Sequence, residues 1–372
     1  MKNIPVLLVL SLASSALAYA QTAPKPEPDV LILTDGEKLI GHLQSATGAS
    51  LVFKSDVVGA VTVDWSKVQE LHTSEKFAAI PKGVILRKLN DTSQIPQGTV
   101  SMADQKIQVN PGPQGTPATL PVGGVANVVE EGSFQHAFHR QTFMEGWKGG
   151  ATAGVAFTDA TQTSESFTGA LNLVRADPGE SWIDLRSRTI FDFNDAYGKI
   201  SQSGVPTVKT SVIHFDAEQD KYLSPRFFAF GSAALDHSYS QGLSLQQSYG
   251  GGFGLVAVKT ANEEFDVKAS ANFIDQRFND STLNQTLFGT VFSETFTRKF
   301  AHGVLLNEQG GVTPAWNETK DYSAFASAGL TFPVYRRFGF TLGAVDNFLN
   351  DPPPGFKKNS FQLTAGATYS FK

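Results

Sequence analysis

The feature that most constrains this chain is an alternation with a period of two, plainest in residues 359–372. Phe361, Leu363, Ala365, Ala367, Tyr369 and Phe371 are apolar, while Gln362, Thr364, Gly366, Thr368 and Ser370 between them are small or polar. Successive side chains of a strand point to opposite faces, so this segment is a strand with one apolar and one wet face. A half-buried strand of a soluble sandwich has the same pattern, and the surroundings must decide between them. The alternation recurs along the whole second half of the chain, from Trp147 onward. Within hydrocarbon every backbone polar group must be paired inside the protein, and a sheet achieves that only by closing on itself. The expected fold is therefore all-β, a transmembrane antiparallel β-barrel.

From Trp147 the alternation and its turn residues divide the chain into twelve expected strands: about 147–158, 167–175, 182–193, 208–219, 227–236, 248–258, 264–274, 286–298, 303–309, 321–332, 338–346 and 360–371. Alternate connections are brief, as at 176–180, 222–225 and 260–263; the others, such as 194–207 and 347–359, are longer. Outer-membrane barrels have this rhythm of short periplasmic turns and longer outer loops. An even strand number leaves both ends of the barrel on the periplasmic side, where residues 29–131 are then expected.

The charged residues follow the alternation. In the third expected strand Asp184, Arg186, Arg188 and Asp192 oppose Ile183, Leu185, Phe191 and Phe193. In the fourth, His214, Asp216 and Glu218 oppose Ile213, Phe215 and Ala217, and in the seventh Asp266 and Lys268 oppose Phe265, Val267 and Phe273. A charge facing lipid at mid-bilayer costs about 2–4 kcal/mol, so these sets are expected to line the lumen. Whether they border a water path or close it by pairing is left open by residue type alone. On the eighth strand Glu294 and Arg298 share a face with Phe292 and Phe296, and that face stays unassigned. Trp147, Trp182, Tyr222, Tyr335 and Tyr369 fall near strand ends, where interfacial aromatic belts sit.

Ahead of the barrel, residues 1–20 have a basic start, a short apolar run and a small-x-small ending, Ala18-Tyr19-Ala20, which is the pattern of a cleavable signal peptide. Proline-rich 21–28 follows as a linker. Two small β-domains are expected at 29–75 and 83–131, then a linker at 132–146. They form a repeat at an offset of 57 residues, in which Gly41, Leu43, Val61, Trp65, Val68 and Leu71 fall on Gly98, Val100, Ala118, Val122, Val125 and Val128. Each copy is too small to bury much surface alone, so the two are expected to pack together. The first copy's pattern of Asp35-Gly36 turn, strand glycine Gly41 and Trp65-x-x-Val68 resembles small SH3-like or Sm-like barrels, which implies peptide, RNA or protein-edge binding. Net charge is -5, and the basic patch with interleaved aromatics that nucleic acid requires is lacking, so no nucleic-acid partner is expected. The partners expected are outer-membrane lipid, the barrel-insertion machinery and a periplasmic protein bound through 29–131.

The run Lys221-Tyr222-Leu223-Ser224-Pro225-Arg226-Phe227-Phe228-Ala229-Phe230, the segment Tyr249-Gly250-Gly251-Gly252-Phe253-Gly254 and the closing Phe348-Leu349-Asn350-Asp351-Pro352-Pro353-Pro354-Gly355 together resemble a family of salt-induced outer-membrane proteins that carry a domain of unknown function. The resemblance covers Trp147 to the end and implies an outer-membrane location; it brings no functional residues with it. Barrels of this kind usually end on an aromatic, whereas Lys372 follows Phe371 here.

Chemistry is sparsely signalled. The chain has no cysteine, which excludes disulfides and thiolate metal sites. His136 and His139 lie at i, i+3 without a third ligand nearby, so no metal or cofactor is expected. His214 with Asp216 is the best acid–base pair, yet no motif ties a serine to it. The expected role is passive permeation or envelope adaptation rather than catalysis. The alternatives are a non-conducting protein that docks a partner through 29–131 and, third, a barrel hydrolase.

Overall fold

The computed structural model describes residues 27–371 other than 85, 87–90, 114, 140–141, 160–162, 181 and 319, and other than the side chains of 91, 157–159 and 205. The expected signal peptide at 1–20, most of the linker at 21–28 and Lys372 lie outside the described residues. The chain divides into an N-terminal module and a barrel.

The module contains β1 (Asp29–Leu33), β2 (Lys38–Thr47), β3 (Ser50–Ser55), β4 (Gly59–Asp64), β5 (Val68–Pro81), β6 (Gln97–Ala103), β7 (Lys106–Asn110), β8 (Ala118–Pro121) and β9 (Val125–Glu130). They form one antiparallel sheet in the order β4-β3-β2-β1-β5-β6-β7-β8, with β9 paired to both β2 and β5. The repeat is visible in three dimensions. β4 and β8 each run into a 3-10 turn, Trp65–Lys67 and Val122–Gly124, whose first side chain is buried. β5 is common to both copies, because it pairs with β1 around Leu71 and with β9 around Ala78. A single core results, in which Leu31, Phe53 and Trp65 from one copy pack with Met102, Ile107 and Val125 from the other. Asp29 is fully buried and accepts hydrogen bonds from the backbone N–H of Leu43 and Ser74, both at 2.8 Å. Helix α1 (Glu131–Ala137) follows β9, at the place where Phe134, Ala137 and Phe138 have helical spacing.

The barrel consists of β10 (Trp147–Asp159), β11 (Thr163–Asp177), β12 (Ser187–Gln202), β13 (Val205–Tyr222), β14 (Phe227–Ser238), β15 (Leu243–Lys259), β16 (Glu263–Phe278), β17 (Gln285–Lys299), β18 (Leu305–Pro314), β19 (Tyr322–Tyr335), β20 (Phe338–Leu349) and β21 (Asn359–Phe371). Each strand pairs with the next, and β10 pairs with β21 from Gly149↔Phe371 to Ala153↔Ala367, so the sheet is closed. Closure gives every strand of the barrel a paired neighbour on both sides. The large apolar side chains point out: Phe253, Phe273, Phe292, Leu342, Phe361 and Leu363 are all exposed. Their neighbours in sequence point in.

Two expected boundaries move. The third strand starts at Ser187, so Ile183, Asp184 and Leu185 lie in the 178–186 turn and not on a wall. The long loop expected at 194–207 is instead a two-residue turn at Ser203 and Gly204, with Gly204 at φ +75°. β12 and β13 stay paired beyond their long apolar stretches, through Lys199↔Lys209, Ile200↔Val208 and Gln202↔Val205. Hydropathy fades there before pairing does. Tyr222 also differs from expectation. It is 6% exposed and packs inside the barrel against Phe228, with ring centroids 5.2 Å apart, so it belongs to no interfacial belt. That inward packing needs Gly254, where a Cβ would stand 2.2 Å from the Phe228 ring.

Candidate functional site: the barrel lumen

Strand register sets which side chains meet inside. The inward row on β12 and β13 pairs Arg188 with Asp220, Asp192 with Asp216, and Asn194 with His214. It continues from His214 to Asp236 on β14, Gln246 on β15, Gln276 on β16 and Gln285 on β17. Along this row the side chains bond in series: His214 Nδ1 lies 2.6 Å from Asp236 Oδ1, Gln246 donates to Asp236 at 3.1 Å, Gln276 to Gln246 at 2.7 Å, and Gln285 to Gln276 at 2.8 Å.

Toward the end of the barrel where its chain begins and finishes, Arg188 dominates. Its guanidinium donates to Asp220 at 2.7 Å, to Glu264 at 2.9 Å and to Asp266 at 2.7 Å, and it lies over the rings of Phe228 and Tyr222. Asp220 and Asp266 are almost wholly buried. Lys268 pairs with Glu218 at 2.7 Å and lies over Phe230. A planar fork with five donors can satisfy three carboxylates at once, which explains why an arginine stands at the centre.

The opposite wall is different. Apart from Lys148 and Lys299 at strand ends, the described inward positions of β17–β21, β10 and β11 carry no charged side chain. Hydroxyls are joined there across four strands, Thr152 to Thr368 at 2.8 Å, Thr368 to Thr341 at 2.5 Å, and Thr341 to Thr331 at 2.9 Å. Between the walls lies a cavity of about 270 Å³, bordered by His214, Asp216, Glu218 and Lys268 on one side and Thr152 and Thr364 on the other. At the far mouth a single 3-10 turn, Tyr239–Gln241, reaches across the opening. Gln241 is 3% exposed and donates to the carbonyls of Asn347 and Lys358, at 3.1 Å each, on the opposite side of the barrel.

Of the residues singled out in the sequence, the structure brings Arg188, Asp192, His214, Asp216, Glu218, Asp266 and Lys268 to the inner wall. Asp184 is exposed in the 178–186 turn, and Arg186 in the same turn pairs with Asp177 at 2.9 Å. These two do not join the lumenal network, because the strand that would have aimed them inward starts only at Ser187. Sequence reasoning missed Asp220, Glu264, Gln246 and Gln276; Asp236, which it placed beside His237 near an outer rim, lies on the inner wall against His214. Asp220 extends the His214, Asp216, Glu218 spacing by one step and was legible; the glutamines carry no charge to mark a face. Glu294, on the face the sequence left open, pairs in register with Val267 and Gly310 and therefore points outward. Among the described residues no group of acidic or histidine side chains is arranged to hold a metal ion. His214 is held by Asp236, and among the described residues no serine is hydrogen-bonded to it.

No curated protein matches the chain. Among solved structures it is similar to an outer membrane channel from Pseudomonas putida F1, at 13% identity and TM-score 0.36 over 62% of this chain and 97% of that one. It is also similar to the translocator domain of the autotransporter NalP from Neisseria meningitidis, at 11% identity and TM-score 0.33 over 60% of this chain and 88% of that one. The model of the family described as Protein of unknown function, DUF481, matches residues 151–371, nearly the whole barrel and more than half of the chain, and the chain belongs to that family.

Proposed function

We propose that this protein is a narrow outer-membrane channel that lets small solutes cross passively, as part of envelope adaptation. In this reading residues 1–20 direct export, residues 29–131 lie in the periplasm, where they can bind an envelope protein, and the barrel is placed in lipid by the insertion machinery. The observation that carries the reading is the segregation of the lumen into two walls. On β12–β16 the cations Arg188 and Lys268 are held in ion pairs with carboxylates, while the remaining strands offer a row of hydroxyl and amide groups. Such groups replace the hydrogen bonds of water to a passing solute without trapping it. Arg188 and its partners narrow this path at one end. Purified protein in a planar bilayer should give discrete conductance steps, enlarged in Arg188→Ala.

A second reading, a non-conducting anchor that presents its module to a partner, has its own support. Gln241 ties the turn Tyr239–Gln241 across the far mouth while the Arg188 cluster fills the other end. Silence of both the unaltered protein and Arg188→Ala in the bilayer would favour the anchor.

A further inference from the structure

We propose that the lumen selects small monovalent cations over anions, with Asp192, Asp216 and Asp236 drawing them to the charged wall; this rests on the channel reading above. Two observations carry it. The first is the balance of charge on the inward face of β12–β16. Once Arg188 is matched with Asp220, Glu264 and Asp266 and Lys268 with Glu218, Asp192, Asp216 and Asp236 remain, and His214, 2.6 Å from Asp236, is among the described residues the one titratable base beside them. Asp192 and Asp216 are direct register partners on neighbouring strands; Asn172 donates to the first, and among the described residues the side chain of the second has no hydrogen bond or ion pair.

The second observation is burial without satisfaction. Glu218, Asp220 and Asp266 are 6%, 0% and 1% exposed. Each spends one carboxylate oxygen on its cation, and the other oxygen, Glu218 Oε1, Asp220 Oδ1 or Asp266 Oδ1, is buried with no N–H or O–H donor among the described residues. A buried carboxylate oxygen without a donor raises the local negative potential, because no protein dipole answers it. Glu218 borders the cavity, so this surplus acts on whatever occupies it. Rings of acidic side chains favour cations in this way, and low-dielectric walls focus the field. The Thr wall opposite supplies oxygen ligands and, between Lys148 and Lys299 at its strand ends, no competing positive charge among the described residues.

The test is the zero-current potential of the full-length protein in a planar bilayer under a potassium chloride gradient. A potential of cation-selective sign is expected, shifting toward zero in Asp192→Asn with Asp216→Asn, and further when Asp236→Asn is added. These amide replacements keep side-chain shape and break neither the Arg188 nor the Lys268 pair, and heat-modifiable migration on gels checks that the variants fold. Conductance with no selectivity, as when protons rather than metal cations neutralise the surplus, overturns this inference and leaves the channel. Conductance of anion-selective sign does the same, whereas absence of any conductance overturns both readings.

Discussion

Arg188 and Asp266 stand on strands four apart in the barrel wall, yet their side chains meet at 2.7 Å inside it. Bringing two charges out of water is costly, and their attraction offsets that cost only while every partner is present. Arg188→Met would leave Asp220 and Asp266 buried without their cation. A loss of roughly 3–5 kcal/mol in unfolding free energy is expected, read from urea titration of the barrel in detergent. Asp266→Asn, which keeps shape and can still accept a hydrogen bond, should cost clearly less.

The two faces of one strand should respond oppositely to charge. Leu342 is outward and exposed near the middle of β20, whereas Val345 borders the cavity. Leu342→Lys is expected to destabilise the lipid-embedded barrel by about 2–4 kcal/mol. Val345→Lys should change stability less and conductance more, as comparison of unfolding in vesicles with bilayer recordings can show.

In the module, Asp29 joins β2 and β5 through two backbone amides, and Trp65 fills the core while its indole N–H donates to the carbonyl of Thr47 at 2.7 Å. Asp29→Ala strands two amides and should cost roughly 1–3 kcal/mol, while Trp65→Ala should cost about 3–5 kcal/mol. Because both copies share β5 and a single core, either change is expected to loosen the whole module in one transition. Hydrogen exchange of Val109 and Val125 amides in the second copy should rise together with that of Leu43.

Two loop carboxylates predict opposite responses to pH. The hydroxyl of Thr282 and then its N–H hold Asp280 below the usual carboxylate range. A depressed value means that this cap stabilises its loop above the ordinary aspartate pKa and is lost as pH falls through the lowered one. Burial, and then the charge of Asp351, push Asp321 up. Its contribution is present at low pH and lost as pH rises through the raised value. Exchange of the Thr282 amide should therefore lose protection in acid. Asp321→Asn should protect the Ala315 amide, which donates to the Asp321 carbonyl, at neutral pH.

Much of the barrel was legible because lipid enforces a strict pattern. Phe265, Val267, Phe273 and their inward neighbours Asp266 and Lys268 can be assigned to faces from sequence alone, since a slip of one residue would put charge into hydrocarbon. Where lipid stops, so does the signal. The β12–β13 hairpin runs on through Lys199 and Lys209 with only the pair Ile200 and Val208 to mark a face, and the sequence reads as a loop. The site was half legible for a related reason. Period-two charges mark the wall, but which of them meet depends on register and on side chains that cross the lumen. Arg188 reaching Glu264 and Asp266, or Gln241 reaching Asn347, are contacts between segments far apart in sequence that no local pattern encodes.

The chain has no cysteine, so single cysteines can be placed on β21 and probed with a small water-soluble thiol reagent in vesicles. Gln362 and Thr364 border the cavity, while Leu363 is 74% exposed on the outer face. Gln362→Cys and Thr364→Cys are expected to react, and Leu363→Cys and Ala365→Cys to stay protected by lipid until detergent is added. Equal reaction at all four positions would contradict a closed barrel with a wet interior and a lipid-facing exterior.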